Sequence, residues 1–229
     1  MLLQNRYSKT VPKSIGLVMS EVKRKYDVSH RREQAQLRRR AVVAAAKELF
    51  ERDGFRATSI TTVARRAGVS PESIYKSFGT KAALAKAVFD FVIAGDDENV
   101  AVAQRPAVQA ALAEPDVRRK IEIYIHGLAR RQQRSAKVQI LIRDGRHSDD
   151  ALVDVWQKLL DERLAGMTMF GQHLLETGQL RAGIELDEVR DVLWTYTAVE
   201  LYELLVLGRG WSLDHYADWT ARALASALT

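Results

Sequence analysis

Between Thr58 and Leu84 the chain reads TSITTVARRAGVSPESIYKSFGTKAAL, an order of caps, breakers and apolar positions that few backbones satisfy. Ile60, Val63, Ala64 and Ala67 recur at intervals of three and four, which lines one face of a short helix. Ser59 stands where an N-cap belongs, because its hydroxyl can accept from an otherwise unpaired backbone N–H. Gly68 can take the positive φ that closes such a helix, and Val69 then turns inward. Ser70 caps a second helix, with Pro71 at its first position, where a missing N–H costs nothing. In that helix Ile74 and Phe78 lie four apart and point to a core, which leaves Ser73, Tyr75, Lys76 and Ser77 facing outward. Gly79 ends it, and Thr80 caps a third helix that starts at Lys81. Two short helices crossed over a tight turn make a helix-turn-helix, whose second helix enters the DNA major groove.

At these residues the chain resembles the TetR/AcrR family of bacterial transcriptional regulators. The matching pieces are Ala57-Thr58-Ser59-Ile60, Ala64, Ala67-Gly68-Val69-Ser70, Ile74-Tyr75, Phe78 and Gly79-Thr80-Lys81, and AVVAAAKELFERDGF (Ala41 to Phe55) fits the family's first helix. The close match covers residues 38 to 92 or so; beyond them only the helical pattern, the length and a few aromatic positions agree. The resemblance implies an all-α fold: an N-terminal three-helix DNA-binding domain, then a C-terminal helical domain that binds an effector and dimerises. We divide the chain into a basic, irregular arm (1–34), the helix-turn-helix domain (35–81) and the effector-binding and dimerisation domain (82–229).

The rest of the composition is compatible with that division. The chain has 229 residues, 47% of them hydrophobic, and no Cys, which excludes a disulfide framework and a thiolate zinc site. Its apolar runs are too short and too interrupted by charge to span a bilayer, and its start lacks the order of a signal peptide; a cytoplasmic protein with no membrane partner is expected. Residues 1 to 80 hold 17 basic and 7 acidic side chains, a net +10, whereas the whole chain carries +6, which leaves −4 for the remainder. Such a split suits a basic end that meets a polyanion. Lys9, Lys13, Lys23, Arg24, Lys25, Arg31 and Arg32 crowd the arm, which could follow phosphates or enter a minor groove.

The expected DNA-binding residues are Ser59, Thr61, Ser70, Pro71, Glu72, Ser73, Tyr75, Lys76, Ser77, Thr80 and Lys81. Tyr75 can donate to a phosphate or pack on a sugar, and Lys76 can reach a phosphate or a guanine edge. Glu72 can accept from a cytosine amine or support the helix dipole. Ser59 and Thr61, like Thr80 and Lys81, begin helices whose free N–H groups suit a phosphate. Phe50, Phe55, Ile74 and Phe78 are core.

Leu84, Val88, Phe91 and Val92 extend an amphipathic helix to about residue 93, which in the family joins the head to the body, with Gly95-Asp96-Asp97 as a break. Further helices are expected at about 98–113, 116–133, 135–145, 149–177, 186–208 and 212–228. Apolar stripes on the last two (Val189, Val192, Leu193, Tyr196, Val199 and Leu204; Tyr216, Trp219, Ala223 and Leu224) fit the four-helix interface by which the family forms homodimers. A largely apolar small organic effector is expected in the body, with Tyr124, His126, Trp156, Met169, His173, Trp194 and Tyr196 as contact candidates, and Met167, Phe170 and Glu200 beside them.

Nothing in the sequence favours catalysis. The segment Gly68-Val69-Ser70-Pro71-Glu72 lacks the second glycine of a nucleophile elbow. There is no phosphate-cradling glycine loop and no metal-spaced histidine cluster, and Asp149-Asp150 and Asp96-Asp97 serve more simply as caps. No cofactor or metal is expected. The reading is a dimeric repressor released from a palindromic operator by its effector. The alternatives are an architectural DNA-binding protein with weak sequence preference and an activator of the same fold.

Overall fold

The computed structural model describes residues 13–94 and 104–229. All regular structure among them is helical. α1 is Lys13–Ala57, α2 Ile60–Ala67, α3 Pro71–Phe78, α4 Lys81–Ala94, α5 Pro106–Ala113, α6 Val117–Gly145, α7 Ala151–Leu175, α8 Leu186–Tyr196, α9 Val199–Tyr202 and α10 Leu213–Leu228. A π-helical turn, Glu203–Gly208, continues from α9.

Contacts divide the chain into two compact units, the first ending at Ala41 and the second running from Val42 to Thr229. In the first, helix already covers residues from Lys13 onward, where an irregular arm was expected. The reason is compositional: between Gly16 and Gly54 the chain holds neither Gly nor Pro and is rich in straight-chain Glu, Gln, Lys and Arg, all good helix formers. Residues 33–41 of this unit are exposed throughout. Lys9, Gly95-Asp96-Asp97 and the start of the helix expected from residue 98 lie outside the described residues.

In the second unit the caps sit where the sequence puts them. Ser59 Oγ accepts from the Thr62 amide at 3.0 Å, Ser70 Oγ from the Ser73 amide at 3.3 Å and Thr80 Oγ1 from the Ala83 amide at 3.0 Å. Gly68 closes α2 with φ 68°, ψ 33°, a left-handed conformation that a Cβ would strain. The N-terminal half of this unit packs around Phe50, Val63, Ala64, Ile74, Leu84 and Val88, and the same core continues into Val138 and Ile142 of α6 and Leu152 and Leu159 of α7. Val42–Thr229 is thus one compact unit holding both the helix-turn-helix and the helices that follow. A second core joins α6 and α7 to α8, α9 and α10 through Ile121, Ile125, Phe170, Leu193, Tyr216 and Leu224.

Two expected breaks moved. The helices expected at 116–133 and 135–145 are one, α6. Ser135 does not interrupt it, because its hydroxyl donates back to the Arg131 carbonyl at 2.9 Å, inside the helical ladder. The helix expected at 186–208 instead breaks at Thr197-Ala198, where the Thr197 hydroxyl donates to the Leu193 carbonyl at 2.7 Å.

Candidate DNA interface and ligand-binding body

α3 is anchored by one face and open on the other. Ile74 is 1% exposed, and Phe78 is half-buried against the same core. Glu72, Ser73, Tyr75, Lys76 and Ser77 are all exposed, Tyr75 by 54%. Pro71 opens the helix half-buried, and Ser59, Thr61, Ser70 and Thr80 are exposed at or beside helix N-termini. Nine of the eleven expected residues are thus exposed on the helix-turn-helix and its flanks, and Pro71 is half-buried beside them.

Lys81 departs from the expectation. Its Nζ donates to the carbonyls of Phe55 at 3.0 Å and Thr58 at 3.2 Å and lies 4.2 Å from the centroid of the Phe55 ring. That ammonium holds the α1–α2 connection on the start of α4 instead of facing outward. Thr58, absent from the expected residues, works beside it: buried, it donates to the carbonyls of Gly54 at 2.8 Å and Leu49 at 3.2 Å. The signal for Thr58 is its position, four residues after the glycine that ends the regular part of α1. Glu72 is also partly committed. Its own backbone amide and the Ser70 hydroxyl hold its carboxylate below the usual range, which fits support of the helix start.

The effector candidates separate into two groups. Tyr124 and Phe170 stack at 3.7 Å and 12° in the core of the body. Trp194 carries the Arg163 guanidinium 3.9 Å from its ring centroid, and Tyr196 leans on Trp219 at 6.2 Å. Tyr216, Gln132 and Thr197 form a buried relay: the Tyr216 hydroxyl donates to Gln132 Oε1 at 3.1 Å, and Gln132 Nε2 donates to the Thr197 carbonyl at 3.0 Å. His126, Met169 and His173 do not join this group. His126 Nε2 meets Asp218 Oδ1 at 2.9 Å across α6 and α10, His173 Nδ1 lies 3.5 Å from Glu176, the residue that caps the end of α7, and Met169 is 40% exposed. Each is rotated off the core face of its long helix. Trp156 packs at the rim under Arg146, 5.5 Å from its guanidinium, and Glu200 is exposed and paired with Arg143.

The apolar stripes of the last helices are also divided. Val189, Leu193, Val199, Tyr216 and Leu224 are buried within the chain's own core. Val192, Tyr196, Trp219 and Ala223 are half-buried, while Leu204 and Leu207 are exposed by 59% and 47%. An open groove of about 940 Å³ runs from Phe55 and Arg56 past Ile140 and Leu141 to Glu203 and Leu207.

Residues 42–88, which enclose α2, α3 and the start of α4, match the family model of bacterial regulatory proteins of the TetR family. Those residues are a TetR-family DNA-binding domain. That domain supports a DNA-binding regulator, and TetR-family regulators act without catalysis. Solved TetR-like structures share its fold. A protein described as a TetR-family regulator from Rhodococcus sp. superimposes with a TM-score of 0.66 at 15% identity, over 85% of this chain and 100% of that one. The regulator FadR from Bacillus subtilis, solved with stearoyl-CoA, gives 0.66 at 16%, over 82% and 98%. A regulator from Saccharomonospora viridis, solved with choline, gives 0.60 at 18%, over 83% and 96%. No curated relative matches this chain by sequence. Among the described residues no helix is long and apolar enough to cross a membrane.

Proposed function

We propose that this TetR-family protein is a homodimeric repressor that reads an approximately palindromic operator and is released from it by a small organic effector, in the cytoplasm. The observation that carries the reading is the anchored α3, with Ile74 buried and Tyr75 and Lys76 on its open side. Two such helices related by a two-fold axis meet half-sites roughly 34–36 Å apart, one helical turn. The half-buried and exposed apolar residues left on the last helices, Val192, Tyr196, Trp219 and Leu204, are the surface for that pairing. The aromatic core around Tyr124, Phe170 and Trp194 is the effector's place, since ligand sites in bundles lie between helices and are mainly apolar. FadR and the Saccharomonospora viridis regulator, which carry stearoyl-CoA and choline on the same fold, support a ligand in that body.

Release needs a difference in effector affinity between two head arrangements, and a coupling of ~1–3 kcal/mol changes operator affinity about 5–150-fold. Footprinting over genomic fragments tests the reading: a short protected segment with two-fold symmetry is expected. Uniform protection would favour the architectural alternative, to which the exposed Arg38, Arg39 and Arg40 of α1 lend some support. Symmetric protection that raises transcription would favour activation.

A further inference from the structure

Two arginines in the body, Arg131 buried and Arg163 half-buried, lie against aromatic rings without a carboxylate. Arg131 of α6 is 9% exposed, and its guanidinium lies 5.6 Å from the centroid of the Tyr124 ring. Arg163 of α7 stacks on Trp194 and donates from a terminal nitrogen to the Trp194 carbonyl. Its Nε is buried with no hydrogen-bond partner. Ion pairs among the described residues fall on other arginines, such as Arg143, Arg181 and Arg190, and none reaches Arg131 or Arg163. The acid whose charge acts most on Arg163 is Glu200, which is exposed and engaged with Arg143 at 3.4 Å.

Tyr124 joins the two cations. Burial pushes its phenol up, and the charges of Arg131 and Arg163 both act against that rise. Burial also pulls Arg163 down to about 10. A buried guanidinium without a counter-charge destabilises the fold that contains it. Two such cations, one buried and one half-buried, act on the same Tyr124 ring and leave that aromatic core short of negative charge.

We propose that the body binds an organic anion, a carboxylate with an apolar or aromatic remainder, whose acid group meets Arg131 and Arg163 and whose remainder packs among Tyr124, Phe170 and Trp194. The guanidinium fork matches a carboxylate with two parallel N–H donations, and Arg163 has its Nε donor uncommitted. Arg131 also stands one turn before Arg134, which donates to the carbonyls that end α4. An anion drawn to Arg131 therefore bears on the helix that follows the DNA-binding head. This inference rests on the ligand-responsive reading and names its ligand class.

The full-length protein is titrated with octanoate and 4-phenylbutyrate, with their methyl esters, and with octylamine, by calorimetry and thermal melting, while operator release is followed in parallel. The carboxylates are expected to bind and raise the melting temperature, and the esters and the amine to bind at least tenfold more weakly. Arg163→Met and Arg131→Met should each weaken carboxylate binding at least tenfold, and Arg163→Met without ligand should melt no lower than the parent. Arg163→Lys keeps the charge but loses the fork, and should retain only weak binding. Esters that bind as well as acids, carboxylates that fail to bind, or an Arg163→Met protein that melts far lower yet binds carboxylates unchanged would each overturn the anion site. Release of operator by the neutral esters alone would remove the anion site and leave the regulator reading standing. Carboxylate binding that depends on Arg163 without operator release would do the reverse.

Discussion

Arg134 Nε donates to the carbonyl oxygen of Val92 at 3.1 Å, and so α6 holds the last turn of α4. The same guanidinium reaches the Ile93 carbonyl at 3.4 Å. The last carbonyls of a helix have no partner within it, and a cation there also meets the negative end of the helix dipole. Because α4 starts immediately after Thr80, behind the recognition helix, this cap ties the position of the head to α6.

Arg134→Met should therefore loosen the head without dissolving it. We expect stability to fall by ~1–3 kcal/mol, the cost of leaving carbonyls without their charged donor. Operator affinity should fall further than an equally destabilised variant elsewhere predicts. Fluorescence anisotropy with the operator and a thermal melt measure both quantities.

Lys76→Ala is expected to weaken DNA binding while melting temperature and dimerisation stay near the parent's. If Lys76 meets a phosphate, all sequences lose affinity alike and the salt slope drops by about one unit. If it reads a guanine, a discrimination of ~1–3 kcal/mol at one base pair disappears. Binding titrations on operator and scrambled DNA over a salt series distinguish the two; unaltered binding on both would remove Lys76 from the interface.

Behind that face, Ile74→Ala should cost ~2–5 kcal/mol, because the side chain is 1% exposed and its removal leaves a cavity. Phe78→Ala should fall short of the ~3–5 kcal/mol typical of a fully buried phenylalanine, since Phe78 is only half-buried. Chemical denaturation gives both values, and a larger loss at Phe78 than at Ile74 would mean the anchoring is assigned wrongly.

Lys81→Met tests the inward lysine. Losing its donations to the Phe55 and Thr58 carbonyls should destabilise the head by ~1–3 kcal/mol, with the salt slope of DNA binding unchanged. A slope reduced by about one unit, with no change in melting, would return Lys81 to the phosphate contacts.

The buried phenols give an alkaline signature. Burial raises Tyr216 to about 12, so its contribution is intact below the ordinary tyrosine range and is lost as pH climbs toward that value. Comparing Tyr216→Phe with the parent isolates the tyrosine. The variant should be less stable near neutrality, where Gln132 Oε1 loses its donor, and the gap should narrow between about pH 10 and 12. A constant gap over that range, measured by denaturation, would contradict the assignment.

The head was legible because its signals are local. Ser59, Ser70, Gly68 and Pro71 each act within four residues of themselves, and their geometry follows from backbone chemistry wherever the segment sits. The inward turn of Lys81 was not legible, since its partners, Phe55 and Thr58, come 23 or more residues earlier. In the body, aromatic content located the core but not which side of a long helix enters it. Tyr124 does so, whereas His126, two positions on, turns to Asp218. Arg131 and Arg163 went unmarked because charged residues in a sequence read as surface. Only the packing of α6, α7 and α8 shows Arg131 buried and Arg163 half-buried against Trp194.

The most direct test of the central claim is selection of preferred sites from randomised duplex DNA, with the parent protein and a Tyr75→Ala, Lys76→Ala double variant compared. The account predicts a two-fold symmetric motif for the parent, with half-site centres about 10–10.5 base pairs apart, and its loss in the variant, which should still fold and dimerise. A pool enriched without symmetry, or the same motif recovered by both proteins, would contradict it.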